Sequence, residues 1–60
     1  HEGEECGIVL RGRLRVTVGD EVATLTAGDA YYFKSSQPHM FENPGSEPCE
    51  IVSACTPPSF

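Results

Sequence analysis

The regular spacing of turn signals is the feature that most constrains what this chain can fold into. Clusters rich in Gly, Pro, Asn, Asp and Ser separate short apolar runs, and no stretch of about ten residues shows the periodicity of an amphipathic helix. Short strands with turn signals about every eight to twelve residues are typical of antiparallel sandwiches and barrels. The sequence therefore predicts an all-β fold.

Local patterns place the individual strands. Arg13–Val18 alternates polar and apolar residues, which predicts a strand with one buried face. The nearly continuous apolar run Cys6–Leu10 predicts a strand buried on both faces, and Gly12 predicts a bend or bulge after it. Gly19-Asp20 has the form of a two-residue hairpin turn. The other predicted strands are Glu21–Leu25, Ala30–Phe33, His39–Glu42 and Glu50–Cys55.

Length and charge limit the classes of function. Sixty residues form a single domain, 1–60, and a chain this short buries so little surface that we expect it to be a fragment or to need a partner subunit. A net charge of −5 argues against direct contact with nucleic-acid phosphates. We find no apolar run that could span a bilayer and no signal-peptide pattern.

The cysteines indicate a cytoplasmic protein. Three cysteines without CxxC spacing favour reduced thiols in a cytoplasmic protein, packed as small apolar groups, although one pair could form a disulfide if the protein were secreted.

Three residues could form a metal site. If Glu2-Gly3-Glu4 were a hairpin loop, His1 and Glu5 would be opposite neighbours on paired strands, with Cβ atoms about 4.5–5.5 Å apart. His39, from a later strand, would complete a set of two histidines and one carboxylate, which suits divalent iron and related metals. The alternative is that His1 is an ordinary chain start and Glu5 a solvated charge.

The spacing of these residues resembles that of the cupin family, small double-sheet β-barrels. Its first signature has two histidines one residue apart, then a glutamate and a glycine; His1, Glu5 and Gly12 match all but the first histidine, which would precede His1. In the second signature, Gly28, His39 and Asn43 match the expected glycine, histidine and asparagine. Lys34 and Ser36 stand where a proline and a glycine are usual. The resemblance implies a jelly-roll barrel (a double-stranded β-helix) that lacks its leading N-terminal strands.

Four further segments resemble the C-terminal cupin of bacterial helix-turn-helix transcription regulators. They are Gly3-Glu4-Glu5, Val9–Gly12, Leu25–Asp29 and the ending Thr56–Phe60. This resemblance implies a small-molecule effector domain in a cytoplasmic homodimer. DNA would be contacted only through a helix-turn-helix domain outside this chain, and no membrane would be involved.

Two functions follow from the resemblance. In the first, the barrel interior senses a metabolite, with His1, Glu5, His39 and Phe41 lining it and Tyr31 or Phe33 as apolar walls. A divalent metal (Fe, Mn, Zn or Ni) bound by His1, Glu5 and His39 is part of that expectation. In the second, the same three ligands serve a metal-dependent enzyme such as a dioxygenase or an isomerase. The sequence favours the sensor, because it offers no general base beyond the ligands themselves. A third possibility is a barrel that has lost its metal and serves only in dimerisation.

Overall fold

The computed structural model describes residues 3–56 of the chain, so His1, Glu2 and residues 57–60 lie outside it. The described part consists of six strands and no helix, which confirms the all-β prediction. The strands are β1 (Glu4–Arg11), β2 (Arg13–Val18), β3 (Glu21–Thr26), β4 (Ala30–Lys34), β5 (His39–Glu42) and β6 (Glu50–Thr56). Within residues 3–56 no helix is long and apolar enough to cross a membrane.

The strands form two antiparallel sheets of three strands each. The first has the order β4-β1-β6 and the second the order β3-β2-β5. The core between them consists of the buried side chains Val9 and Phe33 from the first sheet and Leu14 and Val16 from the second. We call the two faces that meet at this core the inner faces.

Most of the predicted strands and turns are confirmed. Val18 pairs with Glu21 across the Gly19-Asp20 turn, where Gly19 has a φ of 59°. Glycine adopts this left-handed conformation without the steric cost that a side chain brings, so the turn closes tightly. The alternation in β2 also holds, since Leu14 and Val16 are buried while Arg13 is exposed.

The connection from β1 in the first sheet to β2 in the second is the single residue Gly12. It lies between the end of β1 and the start of β2, and its φ is 79°. A Cβ at this position would overlap the carbonyl oxygen of Pro48. The predicted bend is therefore confirmed, and both its conformation and its close backbone contact require glycine.

The prediction that Cys6–Leu10 is buried on both faces is wrong. Val9 is fully buried, but Ile8 is 39% exposed, Leu10 is 54% exposed, and Cys6 is exposed as well. The second sheet covers only the inner face of β1, and successive side chains of a strand point to opposite faces. Apolar side chains on the other face are left uncovered.

The predicted Glu2-Gly3-Glu4 hairpin loop is also wrong. Glu4 is the first residue of β1, and Glu5 is paired on one side with Phe33 of β4 and on the other with Cys55 of β6. Because a strand has only two hydrogen-bonding edges, no position remains for a strand that pairs with Glu5 through such a loop.

Candidate functional site

Glu5 and His39 meet across the space between the two sheets. Glu5 lies on β1 and His39 begins β5, and the distance from His39 Nε2 to Glu5 Oε2 is 3.1 Å. Both side chains are partly exposed, at 30% for His39 and 22% for Glu5. The structure thus brings together two of the three predicted ligands, whereas His1 lies outside the described residues.

Strand register determines the position of each partner. Glu5 shares the inner face with Val9, because residues four apart on a strand point the same way. His39 is opposite Val18 at the end of β2, and the backbone carbonyl of Gln37 contacts its Nδ1 atom at 2.8 Å. The carbonyl therefore holds the imidazole ring in place from the side opposite Glu5.

The hydrogen bonding at His39 determines what its Nε2 atom can do. A carbonyl oxygen only accepts, so Nδ1 must carry a proton and donate a hydrogen bond to the Gln37 carbonyl. In neutral imidazole, Nε2 then has a lone pair, which faces an oxygen of Glu5. Two acceptors this close attract only if a proton or a metal cation lies between them. The arrangement resembles that of metal-binding histidines, whose second nitrogen commonly donates to a carbonyl group.

Aromatic rings form the wall beside this pair. The ring centroid of Phe33 lies 4.9 Å from that of His39, and the centroid of Phe41 lies 6.3 Å from it. Tyr31 packs against both phenylalanines, with centroid distances of 5.9 and 5.3 Å. These contacts place His39 and Phe41 on the inner face together, as predicted. That Tyr31 or Phe33 lines an effector site stays a prediction.

The Tyr31 hydroxyl is a polar group of the interior that the sequence analysis did not identify. Its oxygen is buried and makes no hydrogen bond of good geometry. Burial has the largest effect and raises the pKa of Tyr31 above 10.0, whereas Ser53 lowers this pKa and the charge of Glu5 raises it. The signal that could have located it is Gly7, which faces Tyr31 across β1 and β4 and leaves room for the ring.

Glu5 and His39 are residue types that bind divalent metals, but two ligands do not complete a metal site. Two donor atoms held about 2.1 Å from one ion at right angles are about 3.0 Å apart, close to the separation seen here. Residues 3–56 contain no group of three His, Cys, Asp or Glu side chains that could hold an ion. The three cysteines are thiols. Metal binding by His1, Glu5 and His39 therefore stays a prediction.

A cavity of the described part lies beside this pair. Its volume is about 720 Å³, and it opens between β3 and β4. Neither Glu5 nor His39 lines it, but Phe33, which contacts His39, does. The Glu5–His39 pair and this cavity are thus separate compartments with a shared aromatic wall.

Comparison with known proteins places this geometry in a family. The model of the cupin domain matches residues 1–55. The chain is 40% identical over all 60 residues to the HTH-type transcriptional regulator PuuR of Escherichia coli K12, of which it covers 32%. It is also 35% identical over 52 residues, or 87% of its length, to mannose-1-phosphate guanylyltransferase 2 of Escherichia coli O157:H7, covering 11% of that protein.

These matches confirm both resemblances noted in the sequence. The chain spans about a third of the length of the regulators it matches, and those of Escherichia coli and Shigella flexneri are equally similar to it. No solved structure matches significantly. The match to the family model covers nearly the whole chain, so this chain belongs to the cupin domain family.

Proposed function

We propose that this chain is the effector-binding part of a bacterial transcription regulator. The observation that carries the proposal is the 40% identity to an HTH-type regulator, which extends over all 60 residues. DNA would be bound by a helix-turn-helix domain outside this chain. The net charge of −5 supports this division, because a domain that grips phosphates needs clustered Lys and Arg. A regulator of this kind would act in the cytoplasm.

The proposed effector site is the space between the sheets at Glu5 and His39. His39 Nε2 and the Glu5 carboxylate, with His1, would hold a divalent metal, which would supply a Lewis-acid position for an oxygen or nitrogen atom of the effector. Phe33 and Phe41 exclude water from one side, which strengthens polar interactions at the site. The Gln37 carbonyl keeps the His39 ring oriented in the absence of effector.

A sensing role accounts for the surrounding residues better than an enzymatic one. Of the nearby acidic side chains, Glu4 lies on the outer face opposite Lys34, and Glu42 forms an ion pair with Arg15 at 3.8 Å. Neither can act as a general base at a substrate held by Glu5 and His39. The similarity to a guanylyltransferase does not favour catalysis, since the match covers only 11% of that protein.

The proposal includes a homodimer formed through an outer sheet face. Cys6, Ile8, Leu10, Tyr32 and Val52 form what we call the outer apolar face, on the side of sheet β4-β1-β6 away from the core. Tyr32 is 62% and Val52 57% exposed. The corresponding face of sheet β3-β2-β5 is mixed, since it carries Arg13, Arg15 and Glu42 beside the exposed Val22 and Met40. Contiguous apolar surface of this kind is typical of interfaces. In a twofold dimer, the outer apolar face of each protomer would pack against the same face of the other protomer.

DNA binding by the full-length protein tests the regulator proposal. Fluorescence anisotropy would compare the DNA upstream of its own gene with a shuffled sequence, first after chelation and then with Mn²⁺, Fe²⁺, Zn²⁺ or Ni²⁺ alone. We expect sequence-specific binding whose affinity changes with one of these metals. Equal affinity for both DNA sequences would contradict the regulator proposal.

Variants at the site test the proposed metal ligands independently of the regulator proposal. His39→Ala should keep DNA binding but lose the metal response, whereas Met40→Ala, on the outer face of the same strand, should retain both. A metal response that survives in His39→Ala would contradict the site while leaving the regulator proposal intact.

A further inference from the structure

We infer that the cavity between β3 and β4 is a second binding compartment, which takes an apolar group without negative charge. This inference rests on the proposed effector-binding function and specifies the chemistry of the effector. The cavity volume of about 720 Å³ lies within the range of about 300–1,000 Å³ that is usual for small-molecule sites. It is therefore large enough for a ligand rather than for water alone.

Apolar side chains form two sides of the cavity, and polar residues, among them Asp20, Glu21 and Gln37, line the rest. Val16 and Val18 of β2 and Leu25 of β3 provide an aliphatic side, and Tyr31 and Phe33 of β4 provide an aromatic side. Val18 and Leu25 are only partly buried although they pack against the core, because the edges of β3 and β4 do not close against each other. An apolar group bound here would complete their burial, at a gain of about 25 cal/mol for each Å² removed from water.

Charges at the mouth of the cavity select against anions. Asp20 and Glu21 stand at the turn that borders the opening. Among the described residues that line the cavity there is no Lys or Arg. A carboxylate, sulfonate or phosphate on the bound group would face two like charges without a cationic partner. The net charge of −5 adds to this repulsion over longer distances.

Two residues connect this compartment with the polar pair. Phe33 lines the cavity and contacts the His39 ring. Gln37 also lines it, and its carbonyl holds His39 Nδ1. An effector with an apolar body would therefore contact the residues that orient His39, while a polar end of the same molecule reaches Glu5 and His39.

A matched pair of fluorescent probes tests the inference in the full-length protein. N-phenyl-1-naphthylamine is uncharged, and 8-anilino-1-naphthalenesulfonate has the same ring system with an added sulfonate. We expect the uncharged probe to bind at least about tenfold more tightly, which corresponds to about 1.4 kcal/mol. Equal affinity of the two probes would overturn the charge selection.

Filling the cavity with a larger side chain tests whether the uncharged probe binds there. Ala23 lines the cavity, whereas Thr24 follows it on the opposite face of β3. Ala23→Phe should weaken binding of the uncharged probe about tenfold or more, and Thr24→Phe should not. Thermal unfolding shows whether both variants are folded; should Ala23→Phe fail to fold, Ala23→Leu and Thr24→Leu replace the pair.

Unchanged probe binding in the folded Ala23 variant would overturn the inference, because the probe would then lie elsewhere, for example on the outer apolar face. The DNA and metal measurements do not involve these probes. A failure of this inference is therefore distinguishable from a failure of the proposed function.

Discussion

Glu5 and His39 lie on different sheets, yet their side chains approach to 3.1 Å. The Gln37 carbonyl accepts a hydrogen bond from His39 Nδ1, and Nε2 is directed at the Glu5 carboxylate. The two residues attract each other only through a shared proton or a cation.

The first prediction concerns metal binding at the pair. Adding the preferred divalent metal at about 100 times its dissociation constant should stabilise the folded protein by about 2.7 kcal/mol, because the ion binds only the folded state. Glu5→Gln and His39→Ala should abolish this gain in a thermal unfolding assay. Glu4→Gln is the matched control, since Glu4 adjoins Glu5 but points to the other face. If the metal stabilised Glu5→Gln as much as the wild type, Glu5 would not be a metal ligand.

The second prediction concerns the contact between Gly7 and Tyr31. A Cβ on Gly7 would lie 2.5 Å from the Tyr31 ring, and ring atoms cannot move away as freely as a flexible chain end. Gly7→Ala should therefore lower the free energy of unfolding by about 1–3 kcal/mol. In a denaturant titration, the double variant with Tyr31→Leu should lose less stability than the sum of the two single variants. Additive effects would mean that the two residues do not contact each other.

The third prediction concerns alkaline pH. Burial raises the pKa of Tyr31 above 10.0, so the folded state holds the phenolic proton more tightly than the unfolded state does. The resulting stabilisation is fully present below pH 10 and is lost as the pH rises through the raised pKa of the folded state. Denaturant titrations at increasing pH should show this loss in the wild type and a smaller one in Tyr31→Phe.

At neutral pH, Tyr31→Phe should be as stable as the wild type, because the buried hydroxyl makes no hydrogen bond of good geometry. Tyr32 is the comparison residue: it is exposed, desolvation and then Glu4 on the outer face raise its pKa, and it is unchanged in Tyr31→Phe. An alkaline stability profile that is identical in wild type and Tyr31→Phe would contradict the assignment to Tyr31.

The fourth prediction concerns assembly. Val52→Lys places a charge in the outer apolar face and should convert the dimer to a monomer in sedimentation experiments, because a lysine at the centre of an interface is costly. Val22→Lys is the control: Val22 is similarly exposed, at 62% against 57%, but belongs to the other sheet. A wild-type protein that sediments as a monomer, or dissociation by Val22→Lys alone, would contradict the proposed interface.

Most of the secondary structure follows from local physics, which is why the sequence was sufficient for it. The alternation in β2, the Gly19-Asp20 turn and the bend at Gly12 each depend on a few neighbouring residues and their backbone preferences. The resemblance to the cupin family pointed to Glu5 and His39 as partners, and their proximity is as expected. Their role as metal ligands is still a prediction.

Other features depend on contacts between residues far apart in sequence, and only the tertiary structure decided them. The run Cys6–Leu10 is apolar throughout, but one face of β1 is covered and the other is not, because the second sheet packs on one side only. The hairpin expected at Gly3 does not form, since β4 and β6 occupy both edges of Glu5. The Tyr31 hydroxyl and the cavity between β3 and β4 likewise arise from packing between distant residues, which no local pattern records.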